Sequence, residues 1–168
     1  AGLTWEAVDW LRSLSPLPIV LKGILTAEDA RLAVEHGAAG IIVSNHGGRQ
    51  LDGALATAEA LEEIVREVDG ALEIYIDGGI RRGTDVLKAL ALGASAVLLG
   101  RPAVYGLATA GATGVAHVLR LLIDELEIAM ALTGCATPAQ ASRALLESAG
   151  VASPHSSIHI ANAMDSHL

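Results

Sequence analysis

The sequence predicts an α/β fold built around a parallel sheet, and three observations point there. Short aliphatic runs recur at 17–21 (LPIVL), 40–43 (GIIV), 72–76 (LEIYI) and 96–99 (AVLL) in a chain of 168 residues. They mostly do not alternate with polar residues, the pattern of strands covered on both faces. Segments with helical start and stop signals separate them. There is also an internal echo: HGAAGIIVSN (36–45) is repeated in kind by LGASAVLLGR (92–101), each a helix end, a tight turn, a buried strand and a polar exit. Repeated strand–helix units imply right-handed crossovers between parallel strands.

The elements follow in order. A helix precedes the first strand, which ends at Lys22-Gly23. Thr26 is placed as the N-cap of the next helix, with Asp29 positioned to reach back, and Gly37 closes it. The strand at 40–43 opens into Ser44-Asn45-His46, with Arg49 soon after. Thr57 starts a helix that Gly70 ends; the third strand then leads into Asp77-Gly78-Gly79, followed by Arg81 and Arg82. Thr84 and Gly93 bracket another helix, and the fourth strand exits at Gly100-Arg101. Over 114–133, Val115, Val118, Leu119, Leu122, Leu126 and Ala129 recur at helical spacing. Thr137-Pro138 is a start signal for a last helix. Residues 1–150 read as one unit and 151–168, which lack any clear period, as a mobile tail.

Composition narrows the function. The chain is 52% hydrophobic and 18% charged, with a formal net charge of -8, which argues against a nucleic-acid footprint. Cys135 is the only cysteine, so neither an internal disulfide nor a cysteine-based zinc site is expected, and a reducing, cytoplasmic setting fits. His155, His159 and His167 are not assigned as a metal site. No apolar run reaches the roughly 18 residues of a membrane span. The opening AGLTWEAVDW lacks the basic start and apolar run of a signal peptide.

Four strand–helix units suit either an open doubly wound sheet or part of a (β/α)8 barrel; a whole barrel takes about 250 residues. Both architectures collect ligands at the carboxyl ends of their strands. Those ends gather Lys22, Ser44, Asn45, His46, Arg49, Asp77, Arg81 and Arg101: one base, one carboxylate, several cations and polar groups suited to a polar ligand. DGGIRRGTD (77–85) and LGR (99–101) offer backbone N–H groups and arginines near helix starts, a combination that cradles phosphate. Barrels place such a site after strands seven and eight, which makes the four strands here five to eight.

LPIVLKGILTAEDARLAVEHGAAGIIVSNHGGRQLDG and IDGGIRRGTDVLKALALGASAVLLGRP resemble the FMN-dependent 2-hydroxy acid oxidases and dehydrogenases, the family of glycolate, lactate and mandelate oxidases. The resemblance implies the C-terminal half, strands five to eight, of a (β/α)8 barrel with FMN at its mouth. By the same resemblance His46 is the active-site base and touches substrate, and Arg49 clamps the substrate carboxylate. Lys22 stands beside the flavin N1–O2 edge and Ser44 is a flavin contact. Asp77, Gly78, Gly79 and Arg81 belong to the ribityl and phosphate loop, which Gly100 and Arg101 complete. The implied reaction is oxidation of an (S)-2-hydroxy acid to the 2-oxo acid, with electrons passing through FMN to O2, giving H2O2, or to another acceptor. Gly53-Ala54 after LD leans towards the mandelate and lactate types. The family's first four strands, a substrate-binding tyrosine and the aspartate that orients the base have no counterpart in these residues, so a missing N-terminal half is expected as partner. A homo-oligomer, a tetramer by resemblance, is expected as well. Ser166-His167-Leu168 resembles a degenerate peroxisomal address, the alternative to a cytoplasmic location. Other readings are a different FMN barrel, such as a flavin-dependent isomerase, and an inactive half barrel.

Overall fold

Parallel neighbours need a crossover long enough to return the chain to the same end of the sheet. Each strand pair here has one helix for that purpose. The computed structural model of the chain describes residues 2–146. In order they form α1 (Glu6–Leu14), β1 (Val20–Ile24), α2 (Ala27–Glu35), β2 (Gly40–Val43), α3 (Thr57–Val68), β3 (Glu73–Ile76), α4 (Gly83–Ala91), β4 (Ala96–Val97) and α5 (Arg101–Thr133). All neighbouring strands are parallel, in the order β1-β2-β3-β4. A doubly wound sheet reverses its strand order at a switch point. Sequential order without reversal is that of a barrel wall, and the four units are half of a (β/α)8 barrel.

The core lies on the helix side of this wall. Ile41, Val43, Ile74 and Ile76 from the two middle strands bury against Ala30 and Ala33 of α2 and Ala60, Leu61, Ile64 and Val68 of α3. The alternate residues behave differently. Lys22, Ile42 and Tyr75 pair across the sheet in one row; Ile42 and Tyr75 are half-buried. The expectation of two covered faces is therefore corrected: the described helices cover one face only. Aliphatic runs look alike whether the second face is covered by the same segment of chain or by something else.

Several boundaries move for local reasons. The first strand begins at Val20 rather than residue 17 and takes in Lys22 and Gly23. Pro16 and Pro18 supply no N–H to a ladder, which delays pairing. Strand register shifts between Lys22 and Ile24, where Gly23 adopts φ 105°. The Thr26 hydroxyl accepts from the Asp29 N–H at 3.1 Å, as its capping role requires. β4 holds two residues instead of four, although the Leu98 N–H still donates to the Ile76 carbonyl at 2.9 Å. The predicted last helix is reduced to short 3-10 turns at Pro138–Gln140 and Arg143–Leu145. There the Gln140 side chain turns back to accept from the Ala136 and Thr137 N–H groups, and Ala141 and Ser142 are extended.

The largest addition is the first part of α5. Helical structure starts at Arg101, with Pro102 in the first turn, not at residue 114. A sharp break at Ala110-Gly111, with Gly111 at φ 58°, sends the chain back on itself. The two arms then touch glycine to glycine: a Cβ on Gly114 would lie 1.9 Å from the Gly106 carbonyl oxygen. The tail from residue 151, with Ser166-His167-Leu168 and its three histidines, lies outside the described residues.

Candidate active site at the carboxyl ends of the strands

The end of β1 and the ends of β2 and β3 meet through Lys22. Its ammonium donates to Ser44 Oγ at 2.7 Å and forms an ion pair with Asp77 Oδ2 at 3.0 Å. Ser44 is 1% exposed, and its hydroxyl also accepts from the His46 N–H at 3.1 Å. Both lone pairs of that hydroxyl are thus engaged. Ser44 is a buried strut between the lysine and the start of the histidine loop.

His46 follows in a left-handed conformation, φ 56°, that non-glycine residues adopt at a cost. Gly47 and Gly48 continue at φ 68° and 71°, so three successive residues turn the chain out of β2. The imidazole lies against Gly23, where an added Cβ would be 3.3 Å from His46 Cε1. The glycine at the β1 bulge therefore leaves room for the ring. Gly23 was read from sequence only as a strand exit; its positive φ and this close approach give it a second reason to be glycine. Arg49 is exposed and, among the described residues, makes no hydrogen bond or ion pair.

Asp77 ends β3 with one oxygen paired and the other not. Among the described residues Oδ1 is buried without a hydrogen-bond partner. An acceptor left so costs about 1–3 kcal/mol, which a donor on a ligand would recover. Thr57, the first residue of α3 as expected, is buried and donates to the Asp77 carbonyl at 2.7 Å. Gly78 and Gly79 then turn at φ 85° and 79°. A Cβ on Gly79 or on Gly100 would meet nothing within 4 Å, so both loops are open to an approaching group.

The phosphate cradle is narrower than the sequence suggests. Asp85 Oδ2 accepts from the N–H groups of Arg81 and Arg82 at 3.0 Å each. Glu125 of α5 accepts from the Gly83 N–H at 2.9 Å. Two carboxylates thus occupy the start of α4, where a phosphate would be repelled. The remaining donors are the backbone at Gly78-Gly79 and Gly100, with the guanidinium groups of Arg81 and Arg101. Arg81 and Pro102 line one cavity of about 570 Å³, which brings the β3 loop up to the beginning of α5. Arg101 reaches the other way and donates to the Gly47 carbonyl at 2.8 Å. It joins the end of β4 to the histidine loop.

The donor set fits FMN. Asp77 Oδ1 wants a hydroxyl, as a ribityl chain has; Lys22 offers positive charge beside it; Arg81 and Arg101 suit a phosphate. Lys22 and Asp77 offset one another, as do Arg82 and Glu125, which leaves Arg49, Arg81 and Arg101 against Asp85 in a chain of net -8. Among the described residues no cluster of three or more His, Cys, Asp or Glu side chains is placed to hold a metal. No described helix is long and apolar enough to cross a membrane.

Known proteins resemble this chain in sequence and in fold. L-lactate oxidase of a Nostoc species is 63% identical over 134 residues, which is 80% of this chain and 37% of that protein. Glycolate oxidase 1 of Zea mays is 60% identical over 141 residues, 84% of this chain and 38% of the relative. A crystal structure of mandelate oxidase with benzoyl-formic acid superposes with a TM-score of 0.82 at 58% identity, covering 85% of this chain and 43% of the other. The chain therefore spans about two fifths of the length of the relatives it matches. With residues 1–148 matching the family pattern of the FMN-dependent dehydrogenases, this chain belongs to that family.

Proposed function

We propose that the protein oxidises an (S)-2-hydroxy acid of the lactate, glycolate and mandelate class to the 2-oxo acid, with FMN taking the two electrons and passing them to O2, giving H2O2, or to another acceptor. The observation that carries this reading is the placement of His46 over Gly23, one residue from the Lys22–Asp77 pair. A base and a flavin-side cation thereby share one strand end.

The division of labour follows from side-chain chemistry. His46 accepts a proton at the carbinol; an imidazole is suited to that near neutral pH. Arg49, three residues on, grips the substrate carboxylate by paired hydrogen bonds and so fixes the reacting carbon. Lys22, held by Ser44 and Asp77, keeps a positive charge where the isoalloxazine edge would lie. Asp77, Gly78 and Gly79 take the ribityl chain; Arg81, Gly100 and Arg101 take the phosphate. An isomerase would not need a base paired with a carboxylate clamp.

The open row Lys22, Ile42 and Tyr75 supports a second element of the proposal, that the remaining barrel strands complete this wall from an N-terminal half. Residues 1–150 are then one structural unit, assembled in a homo-oligomer. A cytoplasmic location is preferred, with Ser166-His167-Leu168 as the ground for a peroxisomal one.

The test is anaerobic mixing of the flavin-loaded, full-length protein with glycolate, (S)-lactate and (S)-mandelate. Bleaching of the flavin absorbance by at least one of them is the expected result. A parent protein that binds no flavin, or whose flavin none of the three reduces, would overturn the reading.

A further inference from the structure

His46 and Arg49 can act only if the loop that carries them is held still. The left-handed run from His46 to Gly48 contributes no strand ladder of its own, and glycine gives the chain additional freedom there. The backbone makes one turn bond there, from the Gly48 N–H to the Asn45 carbonyl at 3.0 Å, and the Asn45 side chain adds to it. Its Oδ1 accepts from the Gly48 N–H at 3.1 Å, and its Nδ2 donates to the Leu55 carbonyl at 3.2 Å. One carboxamide therefore ties the near end of the loop to its far end, ten residues away. The same oxygen borders the neighbouring turn: a Cβ on Gly78 would lie 3.4 Å from it. From sequence Asn45 looked like a group offered to a polar ligand. Both of its polar atoms bond within the loop.

We propose that Asn45 is a positioning residue: its carboxamide clamps the 46–55 loop and so sets His46 and Arg49 against the substrate. The inference rests on the hydroxy acid reading for its kinetic consequence, though not for its structural one. Ser44 and Arg101 grip the same loop from other sides, at the His46 N–H and the Gly47 carbonyl. Among the described residues Asn45 alone closes it end to end. Its donor and acceptor are also separable by substitution, because Asn45→Asp retains the acceptor for Gly48 and loses the donor to Leu55.

The experiment uses the full-length, flavin-loaded protein and the variants Asn45→Ala and Asn45→Asp. Flavin affinity, the rate of flavin reduction by saturating (S)-lactate, glycolate or (S)-mandelate, and amide hydrogen exchange over 46–55 are measured on each. Asn45→Ala should keep flavin affinity within about threefold while reduction slows about 100-fold, the scale of an ångström-sized misplacement. Exchange over 46–55 should rise, and Asn45→Asp, which keeps the acceptor for Gly48 but loses the tie to Leu55, should remain slowed as well. Unchanged exchange over 46–55 in Asn45→Ala would overturn the clamp. So would a reduction rate within threefold of the parent in either variant. If none of the acids reduces the parent's flavin, the functional reading fails, and the exchange measurement still decides the clamp.

Discussion

Lys22, Ser44 and His46 show how much chemistry a strand end concentrates, and how much of it a sequence discloses. That a base, a lysine and a carboxylate gather at one end of the sheet was legible, because parallel strands put their carboxyl ends together. Whether a polar side chain faces a ligand or its own neighbours was not, since the choice depends on hydrogen bonds across 22 residues for Lys22 and 54 for Arg101. His46→Ala should leave FMN affinity within about threefold and slow flavin reduction by about 10²–10⁴, the usual contribution of a positioned base. Stopped-flow reduction beside a flavin titration reads both; reduction at the parent rate would remove His46 from its role. Arg101→Ala should weaken FMN about 10–100-fold, the loss of a charge-assisted bond worth about 1.5–3 kcal/mol. Unaltered affinity in a fluorescence titration would show that Arg101 serves the Gly47 carbonyl alone.

At the scale of elements, capping chemistry and glycine punctuation located α2, α3 and α4 to within a residue or so, because those signals are local. The β1 boundary and the first arm of α5 were not legible in the same way. β1 depends on where ladder donors resume after Pro18. The early arm of α5 depends on Gly106 and Gly114 letting two backbones approach, a relation no local period records. Gly83 makes a comparable demand, since a Cβ there would stand 2.1 Å from the Leu126 nitrogen and 2.3 Å from the Glu125 carbonyl carbon. The atoms in the way are backbone, so α4 and α5 would have to part. Gly83→Ala should therefore destabilise the protein by about 1–3 kcal/mol through overpacking. A urea midpoint equal to the parent's would contradict that approach.

For the molecule as a whole, the sheet carries its core on one side and a half-buried row on the other. Exposed apolar side chains such as Leu121, Ile128 and Leu132 on α5 add to the uncovered surface. Residues 1–168 produced by themselves should accordingly bind a hydrophobic dye and show negligible turnover, while the full-length protein does neither the first nor lacks the second. Vigorous turnover by the mass-verified 168-residue polypeptide would refute this. Glu125 bears on how such a polypeptide is made. Gly83 leaves the ribosome 42 residues before the carboxylate that accepts from its N–H. Until α5 is synthesised, the start of α4 has only Asp85 to balance its positive end. The nascent chain is thus more receptive to anions at a helix start that Glu125 of α5 afterwards closes to them.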